Sequence, residues 1–228
     1  AELATQLAPD NYDVWLILGS LYVQQSELDR GIKVLTKAEK LDPEQAGVQL
    51  RLGEAYFQKG NYELAREKLE AGLEIESDSP DALFSLGNTY LKLGEYDDAI
   101  DVYEEAYALE ASFWPALNNV GLVEYERGDR DDAIEKWESV IEVDAKQAEP
   151  QLALAVALYT EGETEEAIRL GKAALELDSR YADLEFLAEN LWGEQLIEDT
   201  QEFLSNPQIQ EIVSNYESTA EEELPTIP

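Results

Sequence analysis

The stretch DALFSLGNTYLKLGEYDDAIDVYEEAYALE, residues 81–110, contains two apolar stripes with helical spacing, one on either side of Gly94. The first stripe consists of Leu83, Leu86, Gly87 and Tyr90, and the second of Ala99, Tyr103 and Ala106. Apolar residues three and four positions apart fall on one face of an α-helix, so the stretch predicts two short amphipathic helices. Gly94 predicts a tight turn between them, because glycine readily adopts the left-handed backbone that ends a helix.

The same pattern recurs along the chain every 34 residues. The glycine inside the first predicted helix recurs as Gly19, Gly53, Gly87 and Gly121, and Ala155 follows at the same interval. The turn glycine and an alanine of the second predicted helix recur in the same register: Gly60, Gly94, Gly128 and Gly162; Ala65, Ala99, Ala133 and Ala167. Helices approach closely where a side chain is absent or small, so each unit predicts a tight helix crossing. Pro43 and Pro80, preceded by Asp42 and Ser79, predict helix starts with N-caps.

This unit resembles the tetratricopeptide repeat, which has 34 residues and the pattern W-x₂-L-G-x₂-Y followed by A, F, A and P. Repeat one matches best, with Trp15, Leu18, Gly19, Tyr22, Ala38 and Pro43. Repeat four has Glu124 where tyrosine is expected, and repeat five matches least. The resemblance implies an all-α fold, an α–α superhelix in the form of a right-handed solenoid of antiparallel helix pairs.

The register predicts a repeat region over residues 10–181 with five units: 12–45, 46–79, 80–113, 114–147 and 148–181. Residues 1–9 fit the end of a second helix, and we expect them to be the remnant of a preceding repeat in a longer parent protein. Residues 182–216 predict C-terminal capping helices, and residues 217–228 an acidic flexible tail. The apolar stripe Ile209, Ile212, Val213 and Tyr216 leaves an alternative open, a detachable helix that occupies this array's groove or another protein's groove.

Composition limits the chemistry that the chain can perform. Its 228 residues include 51 Asp plus Glu and 16 Lys plus Arg, for a net charge of −35, and no Cys, His or Met. Without Cys and His there is no thiolate nucleophile and no usual zinc ligand. No calcium loop or phosphate-binding motif occurs, so we predict no enzyme, no cofactor and no metal.

The strong negative charge also limits the partners. It repels phosphate backbones, so we expect no nucleic-acid binding. The longest apolar stretch, residues 14–23, is shorter than the roughly 20 residues that span a bilayer, so we expect no membrane insertion. The acids concentrate in the second helices and loops, which indicates either a solvated outer face or attraction of a basic partner.

In the tetratricopeptide family the first helices line a concave side, where peptides or partner helices lie. Carried onto this sequence, the resemblance implies a groove of mixed apolar, aromatic and amide character. Its candidate peptide-binding residues are Phe57, Phe84, Asn88, Asn118, Asn119, Leu122, Tyr125 and Tyr159. An Asn amide can both donate to and accept from a peptide unit, and aromatic rings can anchor apolar side chains. The alternative is that the aromatic residues pack between repeats and the asparagines are simply solvated.

These observations predict a non-catalytic interaction scaffold or adaptor that binds a neutral or basic peptide or helix. The Lys/Asn/Asn/Lys/Arg clamp for acidic chaperone tails is not matched, since repeats one to three have Leu16, Ser20, Arg51, Asp81 and Ser85 there. One alternative is a structural protein that forms homo-oligomers through the array ends. Another is an assembly factor for a photosynthetic membrane complex, since residues 191–201, LWGEQLIEDTQ, resemble repeat proteins of cyanobacteria and plastids. The compartment stays undetermined, with the cytoplasm slightly favoured.

Overall fold

The computed structural model describes the backbone of residues 2–222 and the side chains of residues 3–214, and within that range all regular structure is helical. The helices are α1 Glu2–Leu7, α2 Tyr12–Gln24, α3 Leu28–Leu41, α4 Ala46–Gln58, α5 Tyr62–Ile75, α6 Pro80–Leu93, α7 Tyr96–Leu109, α8 Trp114–Arg127, α9 Arg130–Val143, α10 Ala148–Thr160, α11 Thr164–Leu177, α12 Leu184–Glu189, α13 Glu194–Leu204 and α14 Pro207–Glu222, with a 3-10 helix at Ser179–Ala182. The predicted all-α fold of antiparallel helix pairs is confirmed.

The helix starts follow the period of the sequence. The first helices begin at Tyr12, Ala46, Pro80, Trp114 and Ala148, each 34 residues after the last. At α6 the predicted start is correct, since Pro80 is its first residue and the Ser79 hydroxyl accepts a hydrogen bond from Ala82 N at 3.3 Å. The start predicted at Pro43 is wrong. Asp42 ends α3 and accepts from Glu44 N at 3.3 Å, so the chain turns before α4 begins at Ala46.

The glycines inside the first helices lie where paired helices cross. A Cβ atom at Gly53 would lie 2.6 Å from Leu69 Cγ, and one at Gly121 would lie 2.5 Å from Trp137 Nε1. Both separations are shorter than a Cβ atom normally approaches another heavy atom, so any larger residue would force the facing side chain to move. The turn glycines Gly60, Gly94, Gly128 and Gly162 have the predicted left-handed backbone, with φ of 78°, 75°, 89° and 90°.

The chain forms two compact units, and the boundary lies in α8 between Ala116 and Leu117. Unit 1 contains α1 to α7, in which α3 packs against α4 and α5 against α6. Its first two repeats share a buried cluster that includes Leu35, Val48 and Leu52. The same alternation of first and second helices therefore extends through unit 1.

Unit 2 contains the rest of α8 and all later helices, around a core that includes Trp137, Leu152 and Leu175. Repeat five differs from the others at Gly171, which occupies the position of Leu35, Leu69, Tyr103 and Trp137 in the earlier repeats. A Cβ atom at Gly171 would collide with the ring of Phe203, which is fully buried there. Phe203 of α13 therefore replaces the core side chain that repeat five lacks.

The chain after repeat five is helical where capping helices are predicted. α14 continues to Glu222, so the backbone is helical at residues 217–222, where the sequence predicts a flexible tail. Residues 223–228 of that predicted tail, and the side chain of Tyr216, lie outside the described residues.

Candidate functional site

In unit 1, one surface of the first helices α2, α4 and α6 retains exposure to solvent. We call this surface the unit 1 face, and it consists of Leu16, Ile17, Ser20, Leu50, Arg51, Glu54, Phe57, Phe84, Ser85, Asn88 and Lys92. Ile17 is the most open apolar side chain among them, at 57% exposed. Three of the predicted site residues, Phe57, Phe84 and Asn88, lie on this face.

Phe84 and Asn88 are held in place by residues beneath them. The ring of Phe84 packs at 5.6 Å from the ring of Tyr103 and at 5.4 Å, edge to face, from that of Phe113. Asn88 Oδ1 accepts a hydrogen bond of 2.6 Å from the hydroxyl of Tyr103, which is itself buried. These contacts fix both side chains while leaving them partly accessible, as suits a preorganised binding surface.

The neighbouring part of the face carries a paired charge and an aromatic pair. Arg51 donates to Glu54 one turn later in α4, so the two charges largely compensate each other. The ring of Phe57 packs at 5.4 Å from that of Tyr62. This part of the face is therefore mainly apolar and close to neutral.

In unit 2, the prediction of an open groove is wrong for four residues. Asn118, Asn119, Leu122 and Tyr125 are buried, and Tyr159 alone is partly exposed. The reason is that residues 183–204, which we call the C-terminal segment, cover this side. Its helix α13 packs against α10, and the ring of Phe203 meets that of Tyr159 edge to face at 5.3 Å.

Tyr125 binds the C-terminal segment through its hydroxyl, which donates a hydrogen bond of 2.6 Å to Asp199 Oδ2. Arg130 donates to the same oxygen at 3.3 Å, and its guanidinium lies 5.1 Å from the centre of the Tyr125 ring. Burial, together with the Asp199 carboxylate, raises the pKa of Tyr125. The phenol therefore remains a hydrogen-bond donor at physiological pH.

A second contact joins Trp192 to Glu149 on α10. The indole Nε1 donates to Glu149 Oε1 at 3.0 Å, and the Tyr181 hydroxyl lies 3.5 Å from Oε2. Burial raises the pKa of Glu149, while hydrogen bonds from Trp192, Asn118 and Tyr181 act in the opposite direction. Nearby, Asn118 Oδ1 is buried and has no hydrogen-bond partner among the described residues.

A third contact is made by Glu126 at the start of α13. Its carboxylate accepts from Leu196 N at 3.0 Å and from Gln195 N at 3.3 Å. These are backbone groups of the first helical turn, which have no partner inside the helix. Gly193 permits the approach, since a Cβ atom there would collide with the Glu126 side chain.

Sequence reasoning missed Glu126, Glu149 and Asp199 as contact residues. Each is one carboxylate among 51 acids, and their partners lie far away along the chain. The one local signal was the aromatic and glycine pair at Trp192 and Gly193, which stands outside the 34-residue register.

Two further kinds of site are absent from the described residues: a metal-binding cluster and a membrane-spanning helix. Across the side chains of residues 3–214, no group of three or more acids could hold a metal ion. None of the helices in the described part of the chain is long and apolar enough to cross a bilayer. The absence of catalysis and of a cofactor remains a prediction.

Comparison with known proteins agrees with the geometry. A family model described as TPR repeat matches residues 19–60 and 53–94, and two described as Tetratricopeptide repeat match residues 80–113 and 121–182. No curated protein sequence matches the chain.

Several solved structures share the fold. A crystal structure of MamA has 28% identity and a TM-score of 0.65, covering 72% of this chain and 96% of MamA. YrrB, described as a TPR protein with an unusual peptide-binding site, has 19% identity and a TM-score of 0.66, covering 88% of this chain and 97% of YrrB. PilF of Pseudomonas aeruginosa has 22% identity and a TM-score of 0.63, covering 90% of this chain and 97% of its own. With the matched residues spanning most of its length, the chain belongs to the tetratricopeptide repeat family.

Proposed function

We propose that this protein is a non-catalytic scaffold or adaptor that binds a peptide or helix of a partner protein on the unit 1 face. The observation that carries the proposal is a contrast between the units. The first-helix surface stays accessible in unit 1, whereas in unit 2 the chain's own C-terminal segment covers it. Tetratricopeptide repeats as a family bind proteins and peptides, which supports the proposal.

The chemistry of the face indicates what it binds. Ile17, Phe57 and Phe84 offer partly exposed apolar surface that can bury apolar side chains of a peptide. The Asn88 amide is held next to Phe84 by Tyr103 and supplies a polar contact within that surface. A net charge of −35 attracts basic partners and repels acidic ones, so the ligand is a neutral or basic segment.

The experiment starts from peptides selected against the immobilised full chain in a random phage-displayed library. The affinity of each selected peptide is then measured by fluorescence anisotropy for Ile17→Ser and Leu109→Ser. Both residues are exposed and apolar, at 57% and 47%, but Ile17 lies on the unit 1 face and Leu109 at the end of a second helix. We expect Ile17→Ser to weaken binding about fivefold, as the loss of one apolar anchor does, and Leu109→Ser to leave it unchanged.

Phe84→Ala provides an independent test of the same face, with folding checked by circular dichroism. Equal affinities for wild type, Ile17→Ser and folded Phe84→Ala would contradict the assignment of the unit 1 face. The alternative role in assembling a photosynthetic membrane complex would use the same face, and components of such complexes can replace the library as ligands.

Self-association is a second candidate, supported by apolar side chains at the start of unit 1. Leu3 and Leu7 on α1 are 67% and 78% exposed, and Leu21 on α2 is 40% exposed. If the chain self-associates, light scattering coupled to size-exclusion chromatography will show an apparent mass that rises with protein concentration. The double variant Leu3→Gln/Leu7→Gln should then have a lower mass than the wild type at the same concentration. A constant monomer mass in the wild type excludes this candidate.

A further inference from the structure

The C-terminal segment does not occupy the position that a sixth repeat would take. In unit 1 each new repeat begins by placing its first helix against the preceding second helix, as α4 does with α3 and α6 with α5. In unit 2, α13 packs mainly against α10, the first helix of repeat five, and reaches α11 through the Phe203 ring beside Gly171. It is α14 and the 3-10 helix that pack against the second helix, α11. α13 therefore lies on the first helices of unit 2, in contact with α10 and with Tyr125 and Glu126 of α8.

Three residues of α13 attach it to this surface. Leu196 and Phe203 are fully buried, and the Asp199 carboxylate receives hydrogen bonds from Tyr125 and Arg130. They stand at positions i, i+3 and i+7, which face one side of a helix. That spacing is typical of a helix bound in a groove of another protein.

The slot that receives Phe203 is a preformed feature of repeat five. Gly171 leaves a space in the core between α10 and α11, and the Phe203 ring fills it beside Tyr159. A helix that replaced α13 would need an aromatic side chain at the same position. An unfilled space of this size would be strongly destabilising.

The outer side of α13 is poorly matched to its surroundings. Glu194, Glu198 and Glu202 of α13 are exposed, and Arg130, which binds Asp199, lies in the first turn of α9 together with Asp131 and Asp132. The chain carries a net charge of −35, so these acidic side chains add to an excess of negative charge that already repels itself. A helix with the same three anchors and basic residues on its outer side would therefore bind more favourably than α13 does.

The backbone that leads into α13 is strained. Leu191, between α12 and α13, has a φ of 70°, a conformation that costs a non-glycine residue roughly 1–3 kcal/mol. Displacing α13 would release this strain, which lowers the cost of the exchange.

We propose that this surface of unit 2 is a second binding site, specific for an amphipathic helix of a partner protein. That helix carries an apolar residue, a carboxylate and an aromatic residue at i, i+3 and i+7, with basic residues on its outer side. α13 is the internal occupant that it displaces. The site is separate from the unit 1 face, so the two proposals stand or fall independently.

The probe for this test is a fluorescent synthetic peptide of residues 191–206 with Glu198→Lys and Glu202→Lys, titrated into the full-length chain. The chain is prepared as Asp199→Ala and, as a matched control, Glu198→Ala. Both substitutions remove one negative charge from α13, but only Asp199 contacts Tyr125 and Arg130. We expect the probe to bind Asp199→Ala about tenfold more tightly than Glu198→Ala, because the weakened internal helix competes less well.

A second peptide, with Phe203→Ala added, should lose binding to both proteins. Equal affinity of the probe for Asp199→Ala and Glu198→Ala, or no binding to either, would overturn the proposal.

Hydrogen exchange on the wild-type chain makes the test independent of whether Asp199→Ala folds. With saturating probe, amides of residues 194–204 should exchange at least about tenfold faster than without it, while those of α10 stay protected. Unchanged exchange in residues 194–204 under saturating probe would overturn the proposal, since the probe would then bind without displacing α13.

Discussion

Ser26 has the left-handed backbone that glycine supplies in the other four repeats. Its φ is 59°, against 75° to 90° at the four turn glycines. A residue with a side chain loses roughly 1–2 kcal/mol in this conformation. Glycine avoids that cost, but part of the gain is lost because glycine makes the unfolded chain more flexible. We therefore expect Ser26→Gly to raise Tm by about 1–3 °C, measured by calorimetry.

Ser205→Gly is the matched control, because Ser205 ends α13 with an ordinary φ of −73°. Glycine there gains no relief of strain, so Tm should not increase. A lower Tm for Ser26→Gly than for wild type would show that the turn in repeat one is not strained.

Glu149 makes the stability of unit 2 depend on pH. Burial raises its pKa in the folded state, so the ionised carboxylate disfavours folding above that pKa. When the pH is below the ordinary pKa of a glutamate, Glu149 is protonated in both the folded and the unfolded state. The cost of burying an ionised carboxylate then disappears. The contribution of Glu149 to the free energy of unfolding therefore falls as pH rises from the ordinary pKa of a glutamate to its raised pKa in the folded state.

Glu149→Gln keeps an oxygen for Trp192 while removing the charge. We expect it to raise Tm by roughly 2–4 °C at pH 7, a gain that shrinks towards zero below about pH 4. Glu165→Gln is the matched control, because it removes the same charge from an exposed position of α11. A gain that persists unchanged in acid would disprove the role of ionisation.

At the level of single helices, α4 contains two glycines with opposite roles. A Cβ atom at Gly53 would lie 2.6 Å from Leu69 Cγ and 3.2 Å from the Ala65 carbonyl oxygen, whereas one at Gly47 meets only Leu16 Cδ2 at 3.9 Å. Gly53→Ala should thus destabilise the chain by about 1–3 kcal/mol through overpacking. Gly47→Ala should stabilise it by up to about 1 kcal/mol, since alanine favours the helix.

Urea unfolding of the two variants provides the measurement. Because both substitutions lie in one helix and add one methyl group, helix propensity cannot explain a difference in sign. Destabilisation by both, or by neither, would contradict the close crossing of α4 and α5.

The helices themselves were largely predictable, because apolar stripes and glycines recur in one register. Phe57, Phe84 and Asn88 were placed on a partly accessible surface by the same register. The position of α13 was not predictable, because it depends on contacts such as the hydrogen bond between Tyr125 and Asp199. These two residues are 74 positions apart, and the 34-residue repeat does not relate them. The burial of Asn118, Asn119, Leu122 and Tyr125 follows from that position, so these four could not be distinguished by pattern alone.

For the molecule as a whole, the dominant electrostatic fact is the excess of 51 acids over 16 cations. Three of the ion pairs that the described residues form, Arg30 with Glu27, Lys59 with Asp29 and Arg169 with Glu166, are exposed on both sides and contribute little to stability. Mutual repulsion among the acids destabilises the compact state, and salt screens it. Raising NaCl from 20 to 300 mM should therefore increase Tm by several degrees.

A sorbitol solution of equal osmolality is the control, because it changes water activity without screening charge. Differential scanning fluorimetry would compare the two series. If sorbitol raises Tm as much as NaCl does, charge repulsion is not what limits stability.

Repeat five has Gly171 where the other repeats have a bulky core residue, and Phe203 from α13 fills the space. Repeat five therefore cannot fold as an interchangeable unit. Residues 148–181 have the length and register of a repeat, yet a copy grafted into another array would carry a vacancy in its interior. Duplicating this unit, in a laboratory or by recombination, would need a large side chain restored at that position. A larger residue at position 171 would therefore require a smaller one at position 203. Another repeat cannot be added after repeat five unless α13 is moved or replaced.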